Sequence, residues 1–325
     1  MASKVERTAV RGAQDRAVRG KAVPGKPVPD KGARDKRARD KGARDKIARD
    51  RAAARRLAAR RKRVLIAAAG VSLVALIAVA LILARPRPTP GPALAAGTAA
   101  QDTAVAHAVA TVPASAFDSV GPGTAAGLSP ISGPLLTAGG KPEVVYIGGE
   151  YCPYCAAERW ALAAALSRFG TFTGLSLIHS SPADVYPSTP TLSFYKSAYT
   201  SRYVAFTPVE WFGETLDPST PFGHAYLQQL TAQQAALFAR YANESVPFVD
   251  IGNRYLVPEA QYLPSTLSGM SWSAVAAAMR TPSSPVAKDI DGAANIISAA
   301  ICKLTNSPPA SVCSSAGVTA AAGSL

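Results

Sequence analysis

The sequence predicts an α/β domain between residues 141 and 313, because strand-like and helix-like patterns alternate there. Glu143–Ile147 (EVVYI) is a short apolar run, as expected of a buried strand. A turn follows, and Cys155–Phe169 then has the apolar spacing of a helix packed on a sheet. Farther along, Phe248–Val257 contains two strand-like runs around a Gly-Asn pair, which predicts a β-hairpin. Together these patterns predict a sheet flanked by helices.

Leu175–His179 is predicted to be a further strand, and a long segment, residues 180–242, separates it from the hairpin. We expect this segment to be an insertion with helical character. Leu192–Tyr195 and Tyr203–Thr207 indicate strands within it, and Thr231–Gln234 has the Thr-x-x-Gln pattern that opens a helix. After the hairpin, closing helices are predicted over Trp272–Met279 and Val286–Leu304.

The high net charge of the chain is confined to its first 63 residues. The chain has 35 Lys/Arg and 21 Asp/Glu, of which residues 1–63 contain 23 and 7. The remainder has 12 and 14, so the overall charge does not indicate a nucleic-acid-binding protein. An Ala-Arg-Asp-Lys unit recurs every five residues from Ala33 with almost no large apolar side chain. We therefore expect residues 1–63 to be a disordered basic cytoplasmic tail, with binding to anionic lipid headgroups or nucleic acid as the alternative.

Val64–Leu83 is a stretch of 20 residues without charge or proline, which is long enough to span a bilayer as a helix. Arg60–Arg63 is fully basic and stands immediately before it. The positive-inside rule thus predicts a single-pass cell-membrane protein, with a cytoplasmic N-terminus and an extracytoplasmic C-terminal domain. A cleaved signal peptide is the alternative, although its charged region would be much shorter.

Segments of simple composition flank the predicted domain. Residues 84–140 are rich in Ala, Pro and Gly and are predicted to be a linker. Within them, Ala114–Leu136 is a candidate for irregular packing on the domain. Residues 314–325 are expected to be a flexible C-terminal tail.

Cys152 and Cys155 form a Cys-Pro-Tyr-Cys dithiol between the first predicted strand and its helix. Free backbone N–H groups and the helix dipole stabilise a thiolate at that position, and Cys155 is one turn away. Cys152 would attack a disulfide and Cys155 would resolve the mixed disulfide. Pro153 suits the first helical turn, because its missing N–H needs no partner there.

Two alternatives for this dithiol stay open: a static disulfide and half of a zinc site. A tetrahedral zinc site would need two more ligands, and Cys302 and Cys313 are the remaining thiols of the chain. Their separation of 11 residues does not match the spacing of a zinc-binding pair. No metal site and no cofactor are expected, because the dithiol itself would be the redox centre.

The stretches EVVYIGGEYCPYCAAERWALAAALSRFG, LSLIHSSPADVYPSTPTLSFY and VPFVDIGNRYLV resemble thioredoxin-like thiol-disulfide proteins. The resemblance covers roughly Pro142–Cys313. It is closest to a membrane-anchored family of that superfamily, a domain of unknown function, found in actinobacteria and archaea. It implies a thioredoxin-like sheet flanked by helices with an insertion. Tyr151 stands where plain thioredoxins have a tryptophan.

The resemblance also implies roles for residues away from the two cysteines. Thioredoxin folds place a cis-proline beside the dithiol, and Val246-Pro247 stands at the corresponding point as a substrate groove. Tyr151, Pro153, Tyr154 and Glu158 are candidate helpers. Glu158 could relay protons to Cys155, as buried acids do in this fold, or lie on a solvated helix face or pair with Arg159.

Other candidate residues follow from position alone. Glu150 precedes the dithiol and would raise the pKa of Cys152 by charge repulsion, against the helix dipole. His179 is expected to be structural or on the surface, and no cluster of three ligands is apparent. Cys302 and Cys313 flank a Pro-Pro loop and are expected to form a structural disulfide, with a second redox pair as the alternative.

The sequence thus predicts a membrane-anchored extracytoplasmic thiol-disulfide oxidoreductase. Its expected partners are exported proteins with thiols or disulfides, a redox partner in the membrane or outside it, and membrane lipid. A non-enzymatic thioredoxin-like binding module with a structural or metal-binding dithiol is the alternative, and a copper or cytochrome maturation factor is a third. The direction of electron flow depends on the reduction potential, which residues alone do not give.

Overall fold

The computed structural model describes residues 94–242, 245–257 and 259–325. The predicted basic tail, the predicted membrane span and the first part of the predicted linker lie outside these residues. Among the helices that are described, none is long and apolar enough to cross a bilayer.

The domain is built on a mixed sheet that has seven strands in the described residues. Its order is β1-β11-β10-β3-β8-β9, with β2 also pairing with β3. The β3–β8 pair is parallel and the other pairs are antiparallel. The strands are β1 Ser129–Pro130, β2 Thr137–Ala138, β3 Lys141–Gly149, β8 Ala205–Leu216, β9 His224–Tyr226, β10 Phe248–Ile251 and β11 Tyr255–Val257. Two small antiparallel pairs join β4 Gly170–Thr173 to β7 Ala198–Ser201 and β5 Ser176–His179 to β6 Pro190–Ser193.

Helices flank this sheet. They are α1 Ala99–Ala110, α2 Ala114–Val120, α3 Pro153–Ser167, α4 Ala232–Tyr241, α5 Trp272–Ala278, α6 Pro285–Leu304, α7 Ala310–Cys313 and α8 Ala316–Ala321. Short 3-10 turns lie at Pro264–Leu267 and Ala322–Ser324. The predicted helices of the dithiol, the Thr231 capping box and the closing segments are all present, within two residues of their expected starts and ends.

The central strand β3 divides the core into two layers because its side chains alternate between the faces of the sheet. Val144 and Tyr146 belong to the larger apolar cluster, which contains most of the apolar side chains of α3 and α6. Val145 and Ile147 belong to a second cluster that is covered by Phe238 of α4. The dithiol helix α3 is consequently buried along nearly its whole length between the sheet and α6.

The segments expected to be a linker and a tail contain packed helices. Val105 and Val109 of α1 and Phe117 of α2 are buried in the larger cluster. At the other end, Val318 of α8 is buried in the same cluster. These few apolar side chains are spaced at helical intervals among alanines. The segments therefore resemble a linker in composition, although their helices pack on α3, α5 and α6.

Residues 180–242 differ from the expected helical insertion. They contain β6, β7, β8 and β9, and helix α4 comes only at their end. Strand β8 pairs in parallel with β3 from Glu143 to Gly149, so this segment supplies a central strand of the sheet. The predicted strand at Tyr203–Thr207 is therefore the start of a 12-residue strand.

Candidate functional site

Cys152 is the N-cap residue of α3, directly after β3 and a short turn. Its backbone is extended, with φ −81° and ψ 123°, and Pro153 occupies the first helical turn. The backbone N–H of Cys155 donates to Cys152 Sγ over 3.4 Å. The sulfur thus occupies the place of a capping oxygen, where unpaired N–H groups at the helix end favour negative charge.

Cys155 is completely buried within the first turn of α3. Its Sγ accepts a hydrogen bond from the backbone N–H of Gly149 over 3.4 Å. Both cysteines are free thiols, and Cys152 retains 6% of its surface exposed. Of the two residues, Cys152 is the one that keeps some exposed surface.

The two thiols differ in acidity. The pKa of Cys152 lies below its usual value, chiefly because of a hydrogen bond with the Cys155 side chain. The N–H groups of Cys155 and Tyr154 and the charge of Arg159 act in the same direction, while burial opposes them. The pKa of Cys155 lies well above its usual value because of burial and because of its neighbour Cys152. Of the two thiols, Cys152 is therefore the more acidic.

Val246 lies beside the dithiol, and Pro247 follows it directly before β10. The Val246–Pro247 peptide bond is cis. The Cys152 thiol donates to the carbonyl oxygen of Val246 over 3.8 Å. The backbone before β10 therefore lies against the Cys152 sulfur.

Aromatic side chains pack beside the dithiol. Tyr151 stacks on His224 with ring centroids 3.9 Å apart and an angle of 8° between the planes. Tyr154 meets Tyr186 edge to face at 5.7 Å. The two candidate helpers Tyr151 and Tyr154 thus belong to an aromatic rim. His224 and Tyr186 were not expected there, because they come from distant segments and no motif connects them to the dithiol.

Arg159 and Glu210 form a fully buried ion pair next to the dithiol. Arg159 Nε donates to Glu210 Oε1 over 2.8 Å, and Arg159 Nη2 donates to Glu210 Oε2 over 2.8 Å. The sequence does contain a signal for this, since Arg159 follows Cys155 by four residues and so lies on the same side of the helix. Its partner Glu210 lies in β8, whose pairing with β3 could not be predicted from local patterns.

The expected environment of Glu158 is wrong. Glu158 lies neither on a solvated face nor in a pair with Arg159, because both side chains are fully buried and adjacent helix positions point in different directions. Glu158 Oε2 accepts from the Gln261 N–H over 3.0 Å, and burial raises the pKa of Glu158 to about 8. The groups that shift the pKa values of Cys152 and Cys155 do not include Glu158.

Glu150 also differs from expectation. Its carboxylate accepts from Ser193 Oγ over 2.6 Å, and burial raises the pKa of Glu150. It is not among the groups that shift the pKa of Cys152. The Glu150 carboxyl is thus bound to Ser193, and burial favours its neutral form.

Cys302 and Cys313 are joined by a disulfide, with Cα atoms 5.6 Å apart. They therefore offer no thiolates to a zinc ion shared with the dithiol. Within residues 94–242, 245–257 and 259–325, no group of three or more His, Cys, Asp or Glu side chains is arranged to hold a metal ion. His179 packs against Trp272, with the two ring centroids 4.3 Å apart.

These features define an α/β protein with a buried dithiol at the N-terminus of a helix, backed by a buried ion pair. The chain belongs to the family described as Domain of unknown function (DUF929), whose model matches residues 129–303. That range includes the dithiol, Val246-Pro247 and Cys302, while α1, α2 and Cys313 lie outside it. Comparisons with curated proteins and with solved structures gave no match.

Proposed function

We propose that this protein is a thiol-disulfide oxidoreductase of the thioredoxin-like kind, with Cys152 as nucleophile and Cys155 as resolving thiol. One observation carries the proposal. Cys152 caps α3 and its Sγ accepts a hydrogen bond from the backbone N–H of Cys155, which is buried one turn further along the helix. This geometry favours a thiolate at the accessible sulfur and keeps a second thiol within reach for intramolecular attack.

The surroundings of the dithiol support the same chemistry. Val246 presents a backbone carbonyl at the reactive sulfur, immediately before the β10–β11 hairpin. An extended substrate peptide could align along this backbone and between the rings of Tyr151 and Tyr154, which would place its sulfur over Cys152. A purely structural dithiol would have no use for an accessible sulfur of lowered pKa.

We also propose that the domain is anchored in the cell membrane and faces the extracytoplasmic side, where it acts on exported proteins. Val64–Leu83 and the basic residues before it support this topology. The Cys302–Cys313 disulfide supports it independently, because stable disulfides are typical of oxidising compartments.

Trapping of a mixed disulfide tests the proposed activity. The full chain carrying Cys155→Ser should form a stable adduct through Cys152 with a disulfide-containing peptide, seen by mass spectrometry. Cys152→Ser should form no adduct, because the remaining thiol is buried and has a raised pKa. The wild type should release the peptide reduced and finish with a Cys152–Cys155 disulfide.

The control is Cys302→Ser/Cys313→Ser, which removes the two cysteine sulfurs outside the dithiol and should retain exchange. A Cys155→Ser chain that forms no adduct, with Cys152 alkylated only at the rate of an ordinary cysteine, would contradict the proposal. That result would favour a binding module with a structural dithiol.

A further inference from the structure

A fully buried arginine, Arg159, lies close to the dithiol. Arg159 uses two nitrogens to bind both oxygens of Glu210, and its Nη2 also donates to the Gly149 carbonyl oxygen over 2.6 Å. Removing a guanidinium from water costs several kcal/mol. The location therefore calls for an explanation beyond packing.

Arg159 is connected to Cys155 through one residue. Gly149 accepts from Arg159 with its carbonyl and donates its own N–H to Cys155 Sγ over 3.4 Å. The positive charge of Arg159 also acts directly on both sulfurs, and its effect is to lower the pKa of each. Arg159 thus both fixes the donor to Cys155 and supplies charge near it.

Two buried donors beside this thiol lack an acceptor. Neither Arg159 Nη1 nor the Tyr146 hydroxyl has a hydrogen-bond partner within the described part of the chain. The guanidinium carbon lies 5.9 Å from the centre of the Tyr146 ring, and Gly148 leaves the space that the hydroxyl fills. Both Arg159 and Tyr146 interact electrostatically with Cys155. Unmatched donors around a buried thiol fit a site where negative charge forms transiently.

We propose that Arg159, held in place by Glu210, is a positioning residue that keeps a positive charge behind Cys155 so that this buried thiol can ionise while it resolves a mixed disulfide. The inference rests on the proposed function and names the groups that make its second step possible. Tyr146 belongs to the same arrangement as a neutral donor.

The reaction in which Arg159 would act is a thiol-disulfide exchange in two steps. The Cys152 thiolate attacks the substrate disulfide, forms a new S–S bond and releases the first substrate thiolate. Cys155 then loses its proton, and its thiolate attacks Cys152 Sγ and displaces the second substrate thiolate. Each substrate thiolate takes up one proton, so the substrate disulfide is reduced by two electrons and the protein dithiol is oxidised.

The charges that face Arg159 define which substitutions are informative. Glu210 neutralises it at contact distance, and the carboxyls of Glu150 and Glu214 also lie within its field. Burial raises the pKa of both of these carboxyls, that of Glu214 to about 7. Removing the whole ion pair should therefore make Cys155 harder to ionise, whereas removing only the Glu210 charge should make it easier.

The experiment uses the reduced full chain and the aromatic disulfide dithiobis-nitrobenzoate, which releases a coloured thiolate at each step. In stopped flow, the first release reports Cys152 and the second reports Cys155. Arg159→Met/Glu210→Leu keeps the volume but removes both charges, and should slow the second release at least tenfold at pH 7. The pH midpoint of that release should rise by about one unit or more. Glu210→Gln should move the midpoint in the opposite direction.

Arg168→Met is the matched control, because it removes another poorly exposed arginine from the C-terminal end of the same helix. Arg168 binds Asn295, Ser298 and Ser315 and is not among the groups that shift the pKa values of the dithiol. It should leave both releases unchanged. If the double variant does not fold, Glu210→Gln decides alone, provided that its circular dichroism matches that of the wild type, because unfolding would expose Cys155 and by itself lower the midpoint.

The outcomes separate this inference from the proposed function. Wild-type protein that releases no second thiolate would contradict the oxidoreductase function and, with it, this role of Arg159. Wild-type protein that releases both, with midpoints that do not move or that move the same way in both variants, would overturn the inference alone. Opposite shifts with an unchanged Arg168→Met control would establish it.

Discussion

Glu158 is a buried carboxyl on α3 that has no salt-bridge partner in the described residues. It accepts one hydrogen bond, from the Gln261 N–H, and its other oxygen has no partner there. Burial favours the protonated form and raises the pKa of Glu158 to about 8, against an ordinary value near 4.5. Between these two pH values, Glu158 is therefore protonated in the folded protein and ionised in the unfolded chain.

This linkage predicts that the domain loses stability as pH rises from about 4.5 through about 8. A group that binds more protons in the folded state makes the free energy of unfolding fall with pH. Glu158→Gln, a neutral side chain of the same shape, should remove this contribution and be more stable than wild type at pH 9, by roughly 3–5 kcal/mol. Urea unfolding at pH 5, 7 and 9 measures the difference. An equal pH dependence in the variant and the wild type would contradict it.

At the scale of residues, the sequence predicted the sites that follow from local order. Cys152, Cys155 and the Val246-Pro247 pair could be expected because each lies at a recognisable point relative to a strand or helix. The partners of Arg159 and Tyr151 could not, since Glu210 and His224 become neighbours only through the pairing of β3 with β8 and of β8 with β9. The charged and aromatic surroundings of the dithiol are therefore a property of the tertiary fold.

Asn295 of α6 connects this helix to the end of α2. Its amide nitrogen donates to the carbonyl oxygens of Phe117 and Gly121, each over 2.8 Å, at the C-terminal end of α2. Its oxygen accepts from Arg168 Nη1 over 2.9 Å. One buried amide on α6 thus binds the Gly121 carbonyl and adds a second hydrogen bond to the Phe117 carbonyl, which also accepts from the Gly121 N–H.

Asn295→Leu should lower the free energy of unfolding by about 2–4 kcal/mol, because it removes three hydrogen bonds from the interior and leaves the Gly121 carbonyl without a partner in the described residues. Ser119→Ala, an exposed position on the same helix α2, should change stability by less than about 0.5 kcal/mol. The midpoints of urea unfolding compare the two variants. A loss in Asn295→Leu no larger than that in Ser119→Ala would mean that α2 is not tied to α6 by this amide.

The elements that the sequence predicted are those with a signal inside a short window. The strand, dithiol and helix of β3–α3 carry such signals, as do the Gly252-Asn253 turn and the Thr231 capping box, whose hydrogen bonds are present. Helices α1 and α2 were missed because they contain few large apolar side chains, so their alanine-rich segment resembles a linker in composition. Strand β8 was underestimated because Pro208 and Gly213 interrupt its pattern.

At the scale of the whole molecule, the segment that precedes the sheet contacts the C-terminal segment of the domain. The Leu128 N–H donates to the Ser324 carbonyl over 2.9 Å, and the Gly317 N–H donates to Asp118 Oδ1 over 2.9 Å. Helix α8 packs on α2 and on α6. Contacts between residues nearly 200 positions apart have no local signature, so the sequence could only suggest that residues 84–140 and 314–325 were peripheral.

The Cys302–Cys313 disulfide fastens the C-terminal helices to α6, and its removal tests whether it is structural or a second redox pair. It closes a short loop at a separation of 11 residues, which corresponds to roughly 2–3 kcal/mol of stabilisation through the unfolded chain. Cys302 is buried in the larger apolar cluster, whereas the dithiol belongs to a separate one. Cys302→Ala/Cys313→Ala should therefore lower the free energy of unfolding by that amount and leave peptide-disulfide exchange by Cys152 and Cys155 unchanged.

Mild reduction of the wild type, followed by alkylation and mass spectrometry, should label Cys152 first while the Cys302–Cys313 pair stays joined. Labelling of all four cysteines together, or loss of exchange in a stable double variant, would instead indicate that electrons pass between the two pairs.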